Sequence, residues 1–162
     1  MNVSGGVRAI DATSLETIAY VETGSDANWL ELAPSGNRLI VSAREPAHTQ
    51  FRIVANPDAE EFGEVTGRID RTDNYAGTGN GPGPRDVTIG PDGTYAYVPD
   101  LYGSTLTVLD IEAFEVVAQR DVAPVLDGAE SANPIWEPSR GTASTSSSRT
   151  TREPTAPRVS GT

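Results

Sequence analysis

Residues 32–41 read LAPSGNRLIV and residues 89–98 read IGPDGTYAYV, two versions of one pattern set 57 positions apart. In each, an apolar stretch runs into Pro-Ser-Gly (34–36) or Pro-Asp-Gly (91–93), and a run of strand-forming residues follows. Proline presets φ at one turn position and glycine tolerates positive φ at another, so both triplets predict tight hairpin turns. A second element also recurs. Residues 7–19, VRAIDATSLETIA, align with 107–118, TVLDIEAFEVVA, so that Asp11 falls on Asp110, Leu15 on Phe114, Glu16 on Glu115 and Ala19 on Ala118, a spacing of 99. Residues 52–69, RIVANPDAEEFGEVTGRI, form a degenerate middle copy with Asn56 in the place of Asp11.

Working outward from these copies, first strands are expected at 29–33 and 86–90 and second strands at 38–42 and 95–99. Third strands are expected at 7–11, 51–56 and 106–110, and fourth strands at 16–21 and 115–120. No window sustains a helical period for more than a turn or two. Short antiparallel strands, four to a unit, repeated every ~45–54 residues, follow the plan of a propeller blade. The predicted fold class is therefore all-β: a partial β-propeller of four-stranded antiparallel blades. About two blades fall within residues 5–125, followed by a transition segment at 126–138 and a low-complexity polar tail at 139–162.

The stretch PDGTYAYVPD followed by STLTVLDIEAFEVVA resembles the YVTN family of β-propeller repeats, with TYAYVPD where that family carries its name motif. LAPSGNRLIVSARE and VRAIDATSLETIAYVETG resemble the same repeat. The resemblance implies a fold and says little of function. Related propellers include lactone hydrolases, surface-layer and adhesion-type proteins, and haem-bearing reductase domains. A Gly-Pro-His-Asp-like element often precedes the inner strand in such propellers. Here it stands as Gly83-Pro84-Arg85-Asp86, and the missing histidine argues against carrying over a metal site.

Composition narrows the chemistry further. The 162 residues carry a net charge of −11, all 12 cations are arginine, there is no cysteine, and His48 is the single histidine. Thiol nucleophiles, disulfides, thiolate zinc sites and catalytic lysines are excluded outright. The negative field disfavours nucleic acid and anionic membrane surfaces as partners. No apolar run approaches the ~20 residues of a membrane span, and no signal peptide opens the chain. A cytoplasmic location is the default expectation, although relatives are often extracytoplasmic. Acidity with arginine replacing lysine points to a halophilic proteome; GC-rich coding bias on an ordinary acidic protein is the alternative, and the two can coexist.

The chain changes character near Pro134: residues 1–133 carry a net −13 and residues 134–162 a net +2. Half of residues 139–162 are Ser or Thr. Such a stretch reads as a disordered tail, because it buries too little surface to offset chain entropy. It also reads as a frameshift, since another frame of compatible codons can spell the turn and strands of a further repeat. Two-odd blades do not close a ring that takes about 4–8. A truncated piece of a larger propeller is expected, marginal alone and prone to self-association through unpaired blade edges.

Asp11, Asn56 and Asp110 are expected to cap turns. The Gly-rich run at 77–83 lacks the strand-before, helix-after setting of a phosphate cradle, and Asp70, Asp73 and Asn74 lack calcium-loop spacing. His48 reads as a surface residue with no nucleophile elbow in the chain. Inner strands line a propeller's channel and the loops entering them form its rim, which makes Asn28, Arg85 and Asp86 the candidate ligand-binding residues, with Tyr75 and Asn80 in the long loop above. Arg85 offers a fixed fork of donors to an anionic group; a local carboxylate partner is the structural alternative. The expected function is a non-catalytic binding or scaffold module, without cofactor or metal, for a protein or small-molecule partner. The alternatives are a fragment of a lactone-hydrolase-type propeller enzyme and a decayed reading frame without function.

Overall fold

In the computed structural model, residues 2–3, 5–24, 27–44, 46–73 and 81–122 are described. The expected transition segment and tail at 126–162, and the candidate residues Tyr75 and Asn80, lie outside them.

The described residues form antiparallel strands and no helix. The first sheet joins β1 (Asn2–Val3), β2 (Gly6–Ile10) and β3 (Thr17–Glu22) in the order β1-β2-β3. The second joins β4 (Ala27–Leu32), β5 (Arg38–Ala43), β6 (Thr49–Val54) and β7 (Val65–Asp70) in chain order. The third joins β8 (Thr88–Ile89), β9 (Tyr95–Asp100), β10 (Thr105–Asp110) and β11 (Glu115–Asp121), again as a simple meander. The Pro-x-Gly triplets make the hairpins β4–β5 and β8–β9, with Gly36 and Gly93 both at φ 74. Strands β1 and β7 were not anticipated: β1 is two residues long, and β7 holds alternating exposed residues with little apolar signal.

One irregularity marks all three sheets. The register shifts after Ala9 in β2, after Arg52 in β6 and after Val108 in β10, each time against the outermost strand. A bulge there sharpens the local twist and fixes the register. It also corrects the alignment. Val54, whose carbonyl accepts from Gly63 N as Asp11's accepts from Leu15 N, is the counterpart of Asp11. Asn56 lies two residues later, in a longer turn.

The expected strand at 86–90 is shorter than its sequence suggested. By the β8–β9 register Asp86 falls opposite Pro99, which has no N–H to give, so the ladder is confined to Thr88 and Ile89. Before it the chain is held by Arg85 N donating to Pro99 O at 3.0 Å and by a bridge between Pro84 and Asp100.

The sheets stack face to face. Val7, Val21, Val41, Ala43, Phe51 and Ile53 form the core between the first and second sheets. Ile40, Val87, Ala96, Val98, Leu109 and Phe114 form the core between the second and third, with Trp29 and Ile69 packed against it. The second sheet is thus buried on both faces.

Candidate functional site

Each four-stranded sheet has its first strand at an edge, and β4 and β8 touch. The Trp29 indole N–H donates to the Val87 carbonyl at 3.1 Å, tying one inner strand to the segment that leads into the other. Beside Trp29, the β4–β5 pairing passes from Ala27–Ala43 directly to Trp29–Ser42, so Asn28 is the extra residue of a bulge. A bulge re-aims its side chain. The Asn28 Oδ1 atom is buried without a hydrogen-bond partner among the described residues. On the β8 side Arg85 is half-buried, its backbone N–H bound and its Nε without a hydrogen-bond partner among the described residues, and Asp86 is buried. The Trp29–Val87 hydrogen bond thus ties together the two chain segments that carry Asn28 on one side and Arg85 and Asp86 on the other.

Behind these residues lies a buried polar network that the sequence did not announce. Arg71, 2% exposed, follows β7 and reaches across to the third sheet. Its Nη2 donates to Asp100 Oδ2 at 3.0 Å and to Thr107 Oγ1 at 2.6 Å, and its Nη1 donates to Gln50 Oε1 at 3.1 Å. Thr105 and Thr107 hydroxyls also donate to Asp100 Oδ2, and Gln50 passes the chain on to Ser42 Oγ. A buried carboxylate is costly without a partner and hydrogen bonds; Arg71 brings the partner from the second sheet, and Thr105 and Thr107 of its own sheet bring hydrogen bonds. The acidic loop around Asp70 reads as solvated in sequence. Asp70 is indeed exposed, its carboxyl held below the usual range by the Thr72 hydroxyl and backbone N–H, but Arg71 turns inward.

His48 is likewise buried, against the expectation of a surface residue. Its Nδ1 accepts from Gly83 N at 3.3 Å, its carbonyl accepts from Arg71 N at 2.9 Å, and its backbone sits at φ 44. A Cβ at Gly81 would lie 2.8 Å from His48 Nε2, so glycine is required there for close approach. The histidine is a clamp between the second sheet and the approach to β8.

At the opposite end of the sheets the Asx residues act as caps. Asp11 Oδ1 accepts from Thr13 N and Ser14 N, Asp110 Oδ1 from Glu112 N and Ala113 N, and Asn56 Oδ1 from Asp58 N. The hydrogen bonds from Ser14 and Thr13 hold the Asp11 carboxyl below its ordinary range. Glu31, on the β4 face shared with Trp29, is pushed upward by burial. A polar cleft of about 500 Å³ opens at this end between Arg38, Asn56, Thr66 and Glu112. Among the described residues no group of three or more His, Asp or Glu side chains converges to hold a metal ion, and no helix is long and apolar enough to cross a membrane.

No family model and no curated protein matches the sequence. The structure, however, is similar to solved β-propellers. The β-propeller domain of Myceliophteria thermophila Cps50 (Swd1) superposes with a TM-score of 0.57 at 16% identity, over 73% of this chain and 35% of that one. The dihydro-heme d1 dehydrogenase NirN, solved in complex with DHE, superposes with a TM-score of 0.55 at 16% identity, over 72% of this chain and 22% of that one. The chain spans between about a fifth and about a third of the length of these two propellers. The likeness shows the fold: an all-β partial propeller of antiparallel blades.

Proposed function

We propose that the chain is a non-catalytic binding or scaffold module of YVTN-like β-propeller type, a piece of a larger propeller that takes its ligand at the rim formed by Asn28, Arg85 and Asp86. One observation carries the reading: among the described residues the bulge at Asn28 leaves a buried Oδ1 without a partner, and Arg85 Nε, on the segment tied to β4 through Trp29, also lacks one. Unsatisfied buried polar atoms are costly, and gathered at one mouth they suit a ligand that brings its own donors and acceptors. A ligand with an anionic group facing the Arg85 fork and an N–H or O–H facing Asn28 meets both demands. The likeness to solved propellers supplies the architecture on which such a rim would be built.

A thermal-shift panel of small carboxylates, phosphates and acidic peptides on the full chain tests this. A ligand of the native state raises stability in proportion to its occupancy. The expected result is stabilisation by at least one anionic class, lost in Arg85→Ala and Asn28→Ala. Stabilisation that survives both substitutions would refute the rim assignment. Turnover of a lactone that depends on Ca²⁺, Mg²⁺ or Mn²⁺ and disappears in Asp86→Asn would replace the binding reading with the enzymatic one.

A further inference from the structure

Between the second and third sheets, at the end away from the proposed rim, the polar cleft of about 500 Å³ adjoins a smaller hollow of about 260 Å³. Ser35, Arg38 and Glu112 line both. The two kinds of turn in the repeat meet here. Arg38 opens β5 directly after the Pro-Ser-Gly turn, and Glu112 lies in the turn between β10 and β11. Both sheets are four-stranded and packed on a shared core, so the walls of the cleft are fixed by strands already in place.

The backbone around these charges is held while the charges themselves stay apart. Glu112 N donates to Asp110 Oδ1 at 2.9 Å, and the Glu112 carbonyl accepts from Arg52, which also donates to the Ile111 carbonyl at 2.9 Å. Arg38 is half-buried. Its Nη1 donates to the neighbouring Asn37 carbonyl at 3.3 Å, and its Nε is buried without a hydrogen-bond partner among the described residues. Among those residues Arg38 forms no ion pair with Glu61 or Glu112, which line the cleft with it. Arginine grips a carboxylate best through two parallel N–H bonds. With Nη1 engaged by Asn37, the edge formed by Nε and Nη2 is the one open to such a grip.

We propose that this cleft binds a small zwitterion of the free α-amino acid class, its carboxylate on the Nε–Nη2 edge of Arg38 and its ammonium on Glu112. The pattern of signs selects the class. A simple anion on Arg38 meets the like charges of Glu61 and Glu112, and a simple cation meets Arg38 itself; both juxtapositions are costly. A ligand that carries the two charges on adjacent groups satisfies both walls. Asn56 has its Oδ1 taken by Asp58 N, which leaves its amide N–H groups to give, and with Ser35 it offers a polar wall to the side chain of the ligand. The cleft shares no residue with Asn28, Arg85 and Asp86.

The test is titration of glycine, L-serine and L-glutamine into the ¹⁵N-labelled full chain, followed by its amide resonances, with acetate and methylammonium as the two halves of the ligand. Saturable shifts at residues 35–38 and 110–113 are expected from at least one of the amino acids, with acetate and methylammonium binding more weakly. Arg38→Gln and Glu112→Gln should each weaken binding by about tenfold or more, the worth of a charge-assisted hydrogen bond. Glu112 is exposed, so Glu112→Gln keeps the fold and carries the test should Arg38→Gln fail to fold. Three results would each overturn the proposal: no saturable shift in this region or shifts confined to residues around Asn28 and Arg85, acetate binding as tightly as the amino acids, and binding at full strength in Glu112→Gln.

Discussion

The Arg71 guanidinium and the Asp100 carboxylate meet at 3.0 Å, with exposures of 1% and 0%, across the junction of two sheets separated in sequence by a glycine- and proline-rich connection. The pair, with Thr105, Thr107 and Gln50 around it, makes the polar half of a junction whose apolar half is Ile40, Val98 and Leu109. It sits at the same end of the sheets as the proposed rim.

Removing one partner of a buried pair leaves an uncompensated charge, a loss of about 3–5 kcal/mol. Arg71→Met is expected to cost that much in urea unfolding, and Asp100→Asn to be similarly damaging. The double variant Arg71→Met/Asp100→Leu should recover part of the loss, because no charge then remains buried. Additive losses in the double variant would show that the two side chains are not coupled.

Gly67 has no room for a side chain beneath Phe114. Gly67→Ala should therefore destabilise by about 1–3 kcal/mol, the usual cost of overpacking, although alanine is otherwise the better strand residue. Phe114→Leu in the same chain should relieve much of it. Thermal melts of the single and double variants give the coupling directly.

Two carboxylates should shape the pH dependence in opposite senses. Asp11 is held below its ordinary range by turn hydrogen bonds, so its stabilisation is full above the unfolded value and is lost as the pH falls through the folded one. Asp11→Asn should flatten this acid limb. Glu31 is pushed upward by burial, so stability falls as the pH climbs from the ordinary carboxylate range through the raised value. Glu31→Gln should then gain on the wild type as the pH rises, and melts of the two proteins from pH 3 to 8, a span set by the carboxylate range, would expose a wrong sign.

Much of the architecture was legible because it is local. Pro-Ser-Gly and Pro-Asp-Gly dictate hairpins from their own backbone preferences, and the Asp11–Asp110 correspondence marks caps that close within three residues. What escaped depends on partners distant in sequence. Arg71 looks solvated until Asp100 and Thr107 are brought to it, and His48 looks exposed until Gly81 and Gly83 pack against it. Strand β7 carries too few apolar residues to signal itself, yet it is fixed by pairing with β6. Asn28, Arg85 and Asp86 were chosen from the repeat alone. The structure adds the bulge that sets Asn28 apart from its neighbours in β4.

The second and third sheets pack together, and the proposed rim requires that β4 and the segment leading into β8 lie side by side. The most direct measurement is the indole N–H resonance of Trp29 in the ¹⁵N-labelled full chain, assigned against Trp136 by substitution. The expected result is slow exchange with solvent and cross-relaxation to protons of residues 86–88, following from the hydrogen bond to the Val87 carbonyl. A rapidly exchanging Trp29 indole without contact to those residues would contradict it.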